Sequence, residues 1–316
     1  MSRIHEALKK AEQERAVVQS FEGAVPAPNT AVETVMAPME GGDVLPDIFK
    51  QPAAVTPQSA SLRRYEDLCQ RCAHPHWHPD LNVNIFHNPT LSVHAAEQFR
   101  TLRSRLYQVR GSQQLRTLLI ASSLPAEGKT FVTNNLAQAI VRQPDRRCLI
   151  IDADLRCSRL HVPLGAPPTP GLTDYLLGEA DEMAVIQHGS EGNLCFIPGG
   201  KEVANPSELL LNGRLKTLLE RVTPIFDWVI LDSPPLLPVA DASLLADHVD
   251  GVILVVRAAS TQTSVAERAC QELQGRNIVG VVLNAVEKAH AYGTYYYHGY
   301  GSAYGQEEVK MVSLKD

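Results

Sequence analysis

The run Thr117-Leu-Leu-Ile-Ala-Ser-Ser-Leu-Pro-Ala-Glu-Gly-Lys-Thr-Phe131 decides the fold. Its first five residues are β-prone and, after Thr117, apolar, a short buried strand over residues 117–121. Its end, Gly128-Lys129-Thr130, closes a P-loop, and residues 134–142 after it have helical character. In such a loop, backbone N–H groups and the following helix N-terminus point at anionic oxygens. Lys129 is placed for β- and γ-phosphate oxygens, and the Thr130 hydroxyl for Mg²⁺. The usual first glycine of this motif is Ser123 here. The loop predicts nucleotide contacts from Ser123, Pro125, Ala126, Glu127, Gly128, Lys129, Thr130 and Phe131.

Outward from the loop, strand and helix signals alternate. Apolar strands are expected at residues 148–152, 194–197, 228–232, 252–257 and 278–284. Helices are expected at 95–109, 206–221, 240–247 and 265–274. Near-continuous apolar strands separated by amphipathic helices predict an α/β, P-loop NTPase-like parallel sheet with helices on both faces. Two strands end in acid: Leu149-Ile-Ile-Asp152-Ala-Asp154-Leu-Arg156 and Val229-Ile-Leu-Asp232-Ser-Pro-Pro235. Carboxyl ends of parallel strands share one sheet edge, so Asp152, Asp154 and Asp232 converge on the loop. Thr130 and the three aspartates form the candidate metal set.

These three segments resemble the Walker A, A′ and B motifs of bacterial tyrosine kinases. The resemblance continues through Gly171-Leu-Thr-Asp-Tyr-Leu176 and Asn205-Pro-Ser-Glu-Leu-Leu210, and spans about Ser92 to Asn284. It implies Mg-ATP-dependent autophosphorylation of tail tyrosines, in trans between subunits of a ring. Lys129, Asp152 and Asp154 would be the catalytic residues, with either aspartate orienting or accepting the tyrosine proton. Tyr292, Tyr295, Tyr296, Tyr297, Tyr300 and Tyr304 would be the acceptors, six of the nine tyrosines in the chain. Glu97, Arg100 and Arg103 match a Glu-x-x-Arg-x-x-Arg element that the family uses between subunits. On spacing alone they are a charged helical stripe. The family commonly serves assembly or export of surface polysaccharide. Residues 1–15, MSRIHEALKKAEQER, resemble stand-alone members linked to exopolysaccharide loci. The implied partners are an inner-membrane polysaccharide co-polymerase or chain-length regulator, docking on the side of helices 240–247 and 265–274, and a protein-tyrosine phosphatase.

Two departures stand out. Ala126 occupies a position where the family has glycine, so a positive φ there would be strained. Cys157-Ser158 replaces an arginine–proline pair after Arg156. A spatial-organising ATPase of the MinD/ParA type shares the sheet and motifs. It carries a lysine where this chain has Leu124, and lacks a tyrosine-rich tail. A non-catalytic ATP-dependent regulator of a membrane partner is the third reading.

The 316 residues divide into a helix at 1–16, a linker at 17–90, the P-loop domain at 91–288 and the tyrosine-rich tail at 289–316. Ser2 can cap the first helix, with Ile4, Leu8 and Ala11 on one face. The linker is rich in proline without period. It contains Cys69, Cys72, His74, His76 and His78, a weak zinc pattern. The formal net charge of −6 argues against nucleic-acid binding through bulk basicity. No apolar run reaches the length of a membrane span, and no leader is visible at residues 1–10. With six dispersed cysteines, this suits a reducing cytoplasm, at the inner membrane only through a partner.

Overall fold

A computed structural model describes residues 65–88, 93–189 and 192–286. Seven strands form one sheet: β1 (Thr117–Ser122), β2 (Cys148–Asp152), β3 (Gln187–His188), β4 (Leu194–Ile197), β5 (Trp228–Asp232), β6 (Gly251–Arg257) and β7 (Ile278–Asn284). Their order is β3-β4-β2-β5-β1-β6-β7. All neighbours run parallel except the two-residue edge strand β3, which is antiparallel to β4. The expected fold class is present.

The period-2 pleat divides each central strand between two cores. Leu118, Ile120, Ile150, Trp228 and Ile230 face one side, and Leu119, Leu149, Ile151, Val229 and Leu231 the other. On the first side pack α2 (Val93–Arg110), α3 (Lys129–Val141) and the one-turn α4 (His161–Leu164). The second side is covered by α1 (Tyr65–Arg71), α5 (Leu172–Leu177), α6 (Glu182–Val185), α7 (Pro206–Leu210), α8 (Arg214–Val222), α9 (Asp241–Ala246) and α10 (Thr263–Glu272). Both faces are therefore dry, which is why the strands read as unbroken apolar runs.

Three sequence expectations need correction. The stretch assigned to a linker at 17–90 is ordered structure over residues 65–88. Leu68 is fully buried on the second face, and Trp77 and Ile85 pack into the first. Residues 83–85 are held by α3, whose Asn135 accepts from Ile85 N at 2.9 Å and donates to Val83 O at 2.9 Å. Asn134 Nδ2 donates to Asn84 Oδ1 at 2.6 Å. These buried amides also explain the second correction: α3 starts at Lys129 rather than residue 134, and its polar residues are inside. The third concerns residues 206–221, which form two helices. Gly213 adopts φ +78° between them, and Asn212 Nδ2 donates to Leu176 O at 2.9 Å. The expected helix at 1–16, residues 17–64 of the linker, and the tail from residue 287 lie outside the described residues.

Among the described residues, no helix is long and apolar enough to cross a membrane. The same residues contain no cluster of three or more metal-ligating side chains of the Cys, His, Asp and Glu kind. His74 Nε2 lies 2.5 Å from Cys69 O, so its ring turns to the helix carbonyl, while Cys69 faces Tyr65 and Cys195. The Cys69–His78 pattern is not assembled around a common centre.

Candidate nucleotide and metal site

The centre of the sheet places β2, β5 and β1 side by side. Asp152 and Asp232 are register partners at the carboxyl ends of β2 and β5. Ile120 of β1 pairs with Asp232, so the P-loop leaves the sheet beside both acids. The three elements quoted from the sequence thus meet at one edge, as alternation alone required.

Each carboxylate has a defined setting. Thr130 Oγ1 donates to Asp232 Oδ2 at 2.6 Å, and Thr133 Oγ1 to Asp232 Oδ1 at 3.1 Å. Asp152 Oδ2 accepts from Ser158 Oγ at 2.7 Å and Leu160 N at 2.9 Å. Asp152 Oδ1 accepts from Asp154 N at 3.3 Å. Asp154 is only partly buried, and its Oδ1 accepts from Cys157 N at 3.0 Å. Burial pushes Asp152 up to about 7, aided by the neighbouring Asp232 charge and opposed by Ser158 and Leu160. Burial likewise raises Asp232 to about 6, opposed by Thr130, the Lys129 charge and Thr133. Two buried acids that resist ionising together, with hydroxyls beside them, are an all-oxygen donor set short of positive charge. That chemistry fits a hard divalent cation such as Mg²⁺. Of the expected set, Thr130, Asp152 and Asp232 are the residues that would hold it; Asp154 accepts from Cys157 N and is not gathered with the other two into a three-acid cluster among the described residues.

The loop is braced from behind. Glu127 is buried; its Oε2 accepts from Leu124 N at 2.8 Å and its Oε1 from the Thr261 hydroxyl. Arg257 Nη1 donates to Ala126 O at 3.0 Å, and Asn284 Nδ2 to Glu127 O at 2.9 Å. Ala126 does adopt φ +63°, the strained conformation anticipated for a non-glycine there. Gly128 has φ +97°, and a Cβ on it would overlap Asn284 Nδ2. Ser123 Oγ is buried, without a hydrogen-bond partner among the described residues. Lys129 is buried beside Asp232. The close-packed cradle, the orphan hydroxyl and α3 starting at Lys129 fit a phosphate chain.

Sequence reasoning missed this brace. The loop pattern predicts Glu127 among the nucleotide contacts; its carboxylate accepts from Leu124 N and the Thr261 hydroxyl, which leaves its backbone for that contact. Thr261, Arg257 and Asn284 carry no motif of their own, and only the β6–β7 edge brings them to the loop. Arg156, just before the Cys157-Ser158 departure, forms a paired contact with buried Asp241: Nε to Oδ2 at 2.7 Å and Nη2 to Oδ1 at 3.1 Å. Its Nη2 also donates to Ser207 Oγ at 2.9 Å, joining the 205–210 motif to α9.

The Glu97, Arg100 and Arg103 group divides. Arg100 ion-pairs with Glu97 on the exposed face of α2. Arg103 instead donates from Nη1 to Ala139 O at 2.6 Å, tying α2 to α3 within the chain. The acceptor tyrosines, from Tyr292 to Tyr304, lie outside the described residues.

No family model matches the chain. Individual proteins do. It is 36% identical over 199 residues to the tyrosine-protein kinase ptk of Acinetobacter johnsonii, covering 62% of this chain and 27% of that one. It is 32% identical over 206 residues to the tyrosine-protein kinase YwqD of Bacillus subtilis, covering 65% of this chain and 86% of YwqD. The solved kinase domain of the Escherichia coli tyrosine kinase ETK superposes with a TM-score of 0.58 at 36% identity, over 65% of this chain and 82% of that one. Several of the curated relatives are much longer: the match spans only 27% of ptk.

Proposed function

The chain belongs to the bacterial tyrosine kinase family, and from that premise we propose that it is an ATP-dependent protein-tyrosine autokinase that phosphorylates its own tyrosine-rich C-terminal segment. The observation that carries this reading is the joining of Thr130, Asp232 and Asp152 beside a braced P-loop at one sheet edge. Mg²⁺, when bound, supplies charge neutralisation on the phosphate oxygens. Lys129 adds a second positive charge at the transferring group. Asp152 and Asp154 are left to orient a tyrosine hydroxyl or take its proton. A free tyrosine has a pKa near 10, so such help is useful at neutral pH. Asp154 is the more accessible of the two, and the better placed to meet an entering segment.

Further parts of the reading rest on the resemblance and on tail chemistry. Subunits associate in a ring through Glu97, Arg100 and Arg103, and each tail enters a neighbour's site. The product regulates exopolysaccharide polymerisation and export through an inner-membrane co-polymerase, and a phosphatase resets the cycle. The chain then works at the cytoplasmic face of that membrane.

The deciding experiment is incubation of the purified chain with Mg-ATP, read by phosphotyrosine detection and mass spectrometry of the tail. We expect several phosphates within residues 292–304, and none in Lys129→Met at unchanged thermal stability. ATP turnover with no phosphotyrosine would instead favour the MinD/ParA-type reading. Near-normal phosphotyrosine in Lys129→Met would overturn the site.

A further inference from the structure

Away from the nucleotide edge, α1 lies against β4 and brings several reactive groups together. Cys195 is fully buried on β4, and the Tyr65 hydroxyl is 3.9 Å from its sulfur. Cys69 stands one turn after Tyr65 on α1 and is half-buried. It packs against the buried core that holds both Tyr65 and Cys195, near enough for both groups to act on its thiol. The Arg147 guanidinium sits 4.6 Å over the Tyr65 ring and pairs with Glu66 at 2.9 Å. Together Tyr65, Glu66, Cys69, Asp145, Arg147 and Asn193 line a cavity of about 390 Å³. A partly buried thiol therefore lines a polar cavity on one side and packs on the other against the core that holds a second, buried thiol.

We propose that Cys69 is a hydroperoxide-reactive thiol and Cys195 its resolving partner, so that oxidation reversibly cross-links α1 to β4. The Cys69 thiolate attacks one peroxide oxygen; a sulfur–oxygen bond forms, the O–O bond breaks, and the departing alkoxide or hydroxide takes a proton. Cys69 is then a sulfenic acid. Cys195 sulfur attacks the Cys69 sulfur, the S–O bond breaks, and the hydroxyl leaves as water with the proton from Cys195. The sum is two thiols and one hydroperoxide giving one disulfide, one alcohol or water, and one water. A cellular thiol reductant returns the pair by exchange.

The environment supports the assignment. Hydrogen bonding from Cys195 lowers Cys69 to about 6 against the opposing effect of burial, with Tyr65, His74 and Arg147 adding to the lowering. Burial raises Cys72 to about 11 and holds Cys148, Cys195 and Cys270 in the thiol form. Thiolate character with access is what selects a cysteine for oxidation. Cys157, exposed and far from other sulfurs in sequence, is the internal comparator.

The test uses the full purified chain, hydrogen peroxide, and tryptic mass spectrometry without reduction. Trypsin cuts after Arg71, so Cys69 and Cys72 fall on different peptides. We expect a linked pair joining Tyr65–Arg71 to the peptide that carries Cys195. In Cys195→Ser, which keeps a hydrogen-bond donor beside Cys69 but cannot form the link, a sulfenic-acid trap should label Cys69 in place of that link. In Cys69→Ser both products should vanish. A readout free of any variant is the pH profile of alkylation. Labelling of Cys69 should rise with a midpoint near pH 6 and level off above it. Oxidation of Cys157 ahead of Cys69, a link to Cys72 or between chains, or a Cys69 profile that still climbs above pH 8 would each overturn the proposal.

Discussion

Asp152 and Asp232 show what a site costs at the scale of single residues. Both are buried and held above the usual carboxylate value near 3.9. The folded chain then keeps protons that the unfolded chain has released. Their contribution to stability is fully present below the unfolded value near pH 4 and is lost as pH rises through the raised values of about 6 and 7. Without nucleotide and Mg²⁺, urea midpoints should drop between pH 5 and pH 8, by an amount on the order of a few kcal/mol in stability. Asp152→Asn should flatten that slope. A slope unchanged in the variant would mean that other groups set it. At the loop, Asn284→Ala removes the hydrogen bond to Glu127 O and opens space beside Gly128. The loss of about 0.5–1.5 kcal/mol should weaken ATP binding roughly 2- to 10-fold. Calorimetric titration with a non-hydrolysable analogue measures it, and equal affinity in the variant would remove Asn284 from the brace.

At the scale of elements, α1 is the test case. A seven-residue helix is unstable alone in water and survives here because Leu68 and Tyr65 enter the core. Leu68→Ala should therefore cost about 2–5 kcal/mol, as at other fully buried leucines. Denaturant unfolding of the full chain would show it, and a loss under about 0.5 kcal/mol would return residues 65–71 to the linker. The α2–α3 pair behaves differently. Arg103→Ala deletes the Ala139 contact and should cost about 1–2 kcal/mol, while Arg100→Ala should cost little because its pair with Glu97 is exposed. Assembly effects of Arg103 are thus read cleanly only beside those of Arg100. If both variants unfold alike, Arg103 is not the tie between the helices.

At the scale of the whole molecule, the proposed switch follows from charge. Each phosphotyrosine adds about −1.5 to −2 near neutral pH, so six sites add roughly −9 to −12 per subunit. That charge would stand against Asp152, Asp154 and Asp232 of the neighbour it enters. Repulsion should expel modified tails and loosen the ring. Sedimentation of dephosphorylated and fully phosphorylated protein, at matched salt, should give a larger mass for the former. Identical masses would end the switch, and an intact assembly in the Arg100→Ala, Arg103→Ala double variant would take those residues out of the interface.

How much could be seen in advance differs by residue. Lys129, Thr130, Asp152 and Asp232 were legible because each sits at the end of an apolar strand or at a loop of fixed chemistry. Parallel topology then forces strand ends to one edge. The strands themselves were legible because two covered faces demand unbroken apolar runs. Other features needed the tertiary structure. Asn134 and Asn135 are polar on a buried helix, so period alone placed the start of α3 five residues late; their partners, residues 83–85, are some 50 positions away. Residues 65–88 read as linker because their apolar groups are sparse and locally aperiodic, and are paid for by a core built elsewhere. The Glu127–Thr261–Asn284 brace and the Cys69–Cys195 pair join segments more than 120 residues apart. The amino-acid sequence by itself determined the sheet, its edge and the charges gathered there, since these follow from local period and connection rules. Only the folded chain decided which distant side chains touch, because long-range packing answers to shape and buried hydrogen bonding rather than to any local pattern.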